Sequence, residues 1–139
     1  MFKKINLQLL ISYLGLLPFL IIIADKLFLK YFNPILVKDF SVIYSLIIFV
    51  FIGAVNWNLK KNISLLIVLI GFMPSFASIL IIVMFLYSYD VINYLIILFI
   101  IQLILDNFIY REKNYRSIFY KLRIPLTSII LVCLILIQL

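Results

Sequence analysis

Asp106 and Arg123 are the residues of this chain most able to do chemistry. Asp106 is the only carboxylate drawn into one of its long apolar runs, and Arg123 stands at the start of the next run. A buried charge is costly unless it is paired. A guanidinium can grip a carboxylate through two parallel hydrogen bonds. The pattern predicts an Asp106–Arg123 contact. Its plain form is a structural clasp that fixes how the last helix docks; its sharper form adds Thr127 and makes the group a site for an anion or a lipid headgroup. Charge reversal tests the pairing: Asp106→Arg alone should lower membrane accumulation more than Asp106→Arg combined with Arg123→Asp. Asn56 and Trp57 offer an amide and an indole N–H at the inner end of the second run. They read either as an interfacial anchor or as a small polar site at the inner mouth of the helices.

The rest of the reactive inventory is thin. The chain has no histidine and a single cysteine, Cys133. Zinc, haem and iron–sulfur centres need clusters of those ligands, so no cofactor and no metal are expected. A lone Cys near the end of an apolar helix defaults to a buried, inert thiol. The remaining acids, Asp25, Asp39, Asp90 and Glu112, are scattered along the chain. General acid–base and nucleophilic catalysis require converging groups, and the expectation is a protein that is not an enzyme.

Small residues and prolines mark helix contacts and bends. Gly53-Ala54 would let another helix approach closely. Gly15-Leu-Leu-Pro18 and Gly71-Phe-Met-Pro74 share one pattern. Each Pro frees a carbonyl one turn back and can kink its helix. Kinks in corresponding spans would suit a transporter built from repeats. Pro125 bends the start of the last run.

These residues must be positioned by membrane helices. Of the 139 residues, 68% are hydrophobic, with a mean hydropathy of +1.32. A soluble domain is about half apolar, and a helical crossing takes about 20 apolar residues. The runs predict an all-α membrane protein, a bundle of five transmembrane helices over about 5–24, 40–59, 63–86, 91–110 and 124–139. The chain then holds one integral membrane domain. Asp39, Asn62 and Asp90 read as N-caps. Between the fourth and fifth spans, Tyr115, Ile118, Phe119 and Leu122 recur at helical spacing, with Arg116, Ser117 and Lys121 on the other face. That pattern predicts a short interfacial helix before the fifth span.

The formal charge of +7 is confined to the connections. In a soluble protein it could suggest nucleic acid; here it flanks membrane helices, and nucleic acid is not an expected partner. One side of an odd-numbered thread carries Lys3, Lys4, Lys60, Lys61, Arg111, Lys113, Arg116, Lys121 and Arg123, and the other only Lys26, Lys30 and Lys38. The positive-inside rule then predicts a cytoplasmic N-terminus and a periplasmic C-terminus. Trp57, Tyr110, Tyr115 and Tyr120 fall near the inner boundary, and Tyr31, Tyr87 and Tyr89 near the outer one.

Several segments together resemble a known family. They are Gly15-Leu-Leu-Pro-Phe19, Ile52-Gly-Ala-Val-Asn-Trp57, Met73-Pro-Ser75, Asp106 and Leu122-Arg-Ile-Pro-Leu-Thr127. In that order they resemble the small five-helix membrane proteins of domain-of-unknown-function family 3429, which includes the mitochondrial transmembrane protein 69. The sequence departs from the family pattern at Ala54, where a second Gly is usual, and at Asn58, where a Gly follows the Trp. The resemblance implies a bacterial inner (cytoplasmic) membrane, or the mitochondrial inner membrane in a eukaryote. It implies no reaction.

The leading expectation is a non-enzymatic multi-pass protein that packs with, or assists assembly of, a membrane complex. Its partners would be the lipid bilayer and other membrane proteins or further copies of itself. The alternative is a small oligomeric transporter or channel for an uncharged solute or lipid, motivated by the two Gly-x-x-Pro positions.

Overall fold

A computed structural model describes residues 7–55, 65–109, 116 and 119–139. All regular structure among them is helical: α1 (Leu7–Leu14), α2 (Leu17–Ala24), α3 (Pro34–Val55), α4 (Leu65–Leu86), α5 (Ile92–Ile109) and α6 (Ile124–Gln138), with π-helical turns at Asp25–Leu29 and Phe119–Arg123. Five helical stretches are long and apolar enough to cross a membrane: Leu10–Leu29, Pro34–Ala54, Leu65–Leu86, Ile92–Ile109 and Phe119–Gln138. At most 39% of any of these spans is buried within the chain. Leaving the rest in water would expose most of five apolar helices; lipid is the solvent that such a surface requires. The protein is an all-α, multi-pass membrane protein with five spans.

The span ends shift from the expected positions for identifiable reasons. The first two spans were expected to be separated by 25–39; the helices consume most of that segment and leave residues 30–33 as the link. Asn33-Pro34 is a helix start. The Asn33 side-chain oxygen accepts the Ile35 N–H at 3.0 Å, and Pro34 takes the first helical position, where its missing N–H costs nothing. Asp39 therefore lies inside α3 rather than at its cap. Asp90 does sit before α5, where the Ile92 N–H reaches its carboxylate at a long 3.4 Å. The last span gains the Phe119–Arg123 turn and reaches 20 residues. Most of the segment expected to form the interfacial helix, and the expected Asn62 cap, lie outside the described residues. Arg116 holds its guanidinium 5.9 Å from the Tyr120 ring centroid.

By packing, the chain divides into two compact units, Met1–Ser41 with Glu112–Leu139, and Val42–Arg111. In the first, α1, α2 and the Asp25–Leu29 turn pack beside the Phe119–Arg123 turn and α6. The Tyr13 hydroxyl donates to the Lys121 carbonyl at 2.6 Å. Thirteen residues further on, Lys26 Nζ donates to the carbonyls of Leu136 at 2.9 Å and Ile137 at 2.7 Å. Contacts that advance together along both segments mean the first and last spans run in the same direction. Three intervening crossings meet that requirement. In the second unit, the rest of α3 packs with α4 and α5. Phe49 and Phe99 meet edge-on with ring centroids 5.1 Å apart, a preferred aromatic geometry.

Candidate functional site

In the second unit, Gly53, Gly71 and Pro74 come together. A Cβ added to Gly53 would lie 2.6 Å from Pro74 Cγ and 2.8 Å from the Gly71 carbonyl oxygen. Only the absent side chain allows α3 and α4 to cross there. Ala54 points away and is exposed. Pro74 is buried on a stripe with Ile70, Gly71, Ser78 and Ile81. The assigned helix nevertheless runs unbroken from Leu65 to Leu86. Ser78 Oγ is buried and has no hydrogen-bond partner among the described residues.

On α5 the buried face reads Ile92, Leu95, Phe99, Gln102 and Asp106, the alternating steps of three and four of a single helical stripe. Asp106 is 1% exposed. The Gln102 amide donates to its Oδ1 at 2.9 Å. A carboxylate in an apolar helix is costly unless it is hydrogen-bonded, and the amide one turn earlier on the same face supplies one donor. The sequence reading overlooked Gln102, although its spacing of four from Asp106 is a recognised helical pair.

In the first unit, Gly15 and Pro18 act differently from Gly71 and Pro74. The helix stops at Leu14 and restarts at Leu17. The Leu16 N–H closes a tighter bond to the Tyr13 carbonyl at 3.0 Å, and Pro18 sits in the first turn of α2. The two Gly-x-x-Pro positions thus yield a broken helix and a continuous one.

Pro125 lies in the first turn of α6. It cannot donate to the carbonyl four residues back, which is that of Lys121. Tyr13 supplies the missing donor across the helix pair. Arg123 and Thr127, one turn apart, are 5% and 4% exposed. They open a stripe continued by Ile130, Leu134 and Ile137. Arg123 and Thr127 belong to the first unit and Asp106 to the second. Asn56 and Trp57 lie outside the described residues.

The opposite end of the first unit holds charged groups that were placed in a connection by sequence. Asp25 is 2% exposed. Its two carboxylate oxygens accept the N–H groups of Tyr31 at 3.1 Å and Phe32 at 3.0 Å. The Lys30 N–H closes the π-turn onto the Asp25 carbonyl at 2.6 Å, and Lys30 is left-handed with φ 51°. Lys26 places a cation on the last carbonyls of α6, where the helix dipole is negative.

The family model described as "protein of unknown function (DUF3429)" matches residues 6–139. The chain belongs to this family. No curated protein and no solved structure matches the chain. Two carboxylates, an ammonium and a phenol are directed onto backbone groups or a neighbouring amide. Among the described residues no three of His, Cys, Asp and Glu converge.

Proposed function

We propose that this protein is a non-enzymatic, multi-pass protein of the bacterial inner membrane, or of the mitochondrial inner membrane in a eukaryote. It packs against other membrane proteins and assists assembly of a complex, with its N-terminus in the cytoplasm or matrix. The observation that supports this most is how its membrane-embedded polar groups are used. Asp25, Lys26 and Tyr13 satisfy backbone groups that helix ends and Pro125 leave open, and Gln102 serves Asp106. These groups act as structural ties. What the molecule offers a partner is long apolar helix surface, such as Leu69, Met73, Phe76 and Leu80 along α4. Association inside a membrane rests on packing and small-residue contacts, because lipid tails compete for apolar surface.

Mild crosslinking in native membranes, followed by affinity purification and mass spectrometry, tests the reading. A reproducible membrane-protein partner is expected; recovery of nothing but the lone monomer would reject it.

The helix break at Leu14–Leu17 favours a second reading, a small oligomeric transporter or channel for an uncharged solute or lipid. Interrupted helices line substrate paths in many carriers. Unchanged flux across a broad solute panel, with and without the protein in liposomes, would eliminate that role.

A further inference from the structure

Between α2 and α6, inside the first unit, runs a groove of about 300 Å³. Leu20 and Ile23 line it from α2, and Ser128, Ile129, Val132, Cys133 and Leu136 from α6. Ile23 and Cys133 form a buried floor, and Leu20, Ser128 and Val132 are exposed along the rims. Its wall is apolar throughout. From Ser128 to Leu136 it covers about 12 Å at the helical rise, close to one leaflet of a hydrocarbon core of about 30 Å. It ends beside Leu136, whose carbonyl accepts a hydrogen bond from Lys26 Nζ. An ammonium has three donors. Two go to the Leu136 and Ile137 carbonyls, and a third is left to offer an anion at that end.

We propose that this groove holds one acyl chain of a phospholipid from the leaflet on the Lys26 side, with the lipid phosphate at Lys26 Nζ. Three features select this occupant. Both walls belong to membrane spans, so lipid is the neighbour at highest concentration. The groove is one leaflet long. A cation stands at the end where a phosphate would lie, and such a pair is charge-assisted. A bound lipid would seal the seam between the first and last spans beside the bonds that tie their ends.

Native mass spectrometry tests the site. The full chain is extracted from phosphatidylglycerol nanodiscs that contain an equal amount of diacylglycerol with the same acyl chains. A single phosphatidylglycerol adduct is expected on the wild type, with no diacylglycerol adduct. Val132→Trp fills the groove from a rim position 54% exposed and should lose the adduct while retaining wild-type helicity. Leu20→Trp does the same from the opposite rim and serves if the first variant misfolds. Equal adducts on wild type and the folded Trp variants, equal retention of diacylglycerol, or no adduct at all would overturn the proposal. So would efficient bis-maleimide dimerisation of a Val132→Cys, Cys133→Ala variant, which would give the groove to a second copy.

Discussion

A proline that follows directly on a helical turn leaves a carbonyl of that turn without its usual donor. Pro125 does this to Lys121, and the Tyr13 hydroxyl fills the gap. Tyr13→Phe is therefore expected to lower stability by about 0.5–1.5 kcal/mol, the net worth of one hydrogen bond. Pro125→Ala restores an N–H at position 125, so Tyr13→Phe should cost much less in that background. A double-mutant cycle on thermal unfolding in nanodiscs measures this coupling. Gly53 offers a second residue-scale outcome. Its missing Cβ would fall 2.6 Å from Pro74 Cγ, so Gly53→Ala forces α3 and α4 apart and should cost about 1–3 kcal/mol by overpacking. Ala54→Val, on the exposed side of the same turn, should be close to silent. The Gly53-Ala54 pair was legible as a notch for a helix, because Gly has one reason to sit in so apolar a run. Which of the two made the contact, and with which residues, was not legible. The choice depends on the rotation of α3 about its own axis, which no local pattern specifies.

Helix ends were the least legible elements. Asn33-Pro34 carries both turn and helix-start chemistry, and only the placement of α3 selected the second. The Asp25–Leu29 turn shows why the first span extends past its acid. Asp25 was read as a boundary because a carboxylate at the end of an apolar run ordinarily faces water. Here it accepts the Tyr31 and Phe32 N–H groups and so becomes the group that turns the chain toward α3. Asp25→Ala should leave those two amides without acceptors. Faster hydrogen exchange at Tyr31 and Phe32 is expected, together with destabilisation of about 1–3 kcal/mol, the cost of groups left unsatisfied. If exchange at the two amides stays as slow as in the wild type, the carboxylate is not what holds that link. The same reasoning separates the two Gly-x-x-Pro positions. Pro18 follows a broken ladder and Pro74 sits within a continuous one, so the same Gly-x-x-Pro spacing gave different elements in different surroundings.

For the whole molecule, the parallel run of the first and last spans requires an odd number of crossings between them, and their N-terminal and C-terminal ends therefore face opposite sides of the membrane. The excess of Lys and Arg on one side is the ground for the proposed orientation, N-terminus inside. Single Cys substitutions in a Cys133→Ala background provide the measurement. Positions 31 and 88 should react with a membrane-impermeant maleimide added from the periplasmic side, and positions 62 and 113 only after permeabilisation. The reverse pattern would invert the proposed orientation.

Sequence by itself determined that this is a five-span helical membrane protein, because transfer of about 20 contiguous apolar residues into hydrocarbon is a property of each segment alone. Only the tertiary structure decided which groups tie the first span to the last. The bonds from Tyr13 to Lys121 and from Lys26 to Leu136 and Ile137 join residues 108, 110 and 111 positions apart. Such pairs form only where packing brings two helices side by side in one register, and that register is set by side-chain shape across the whole interface.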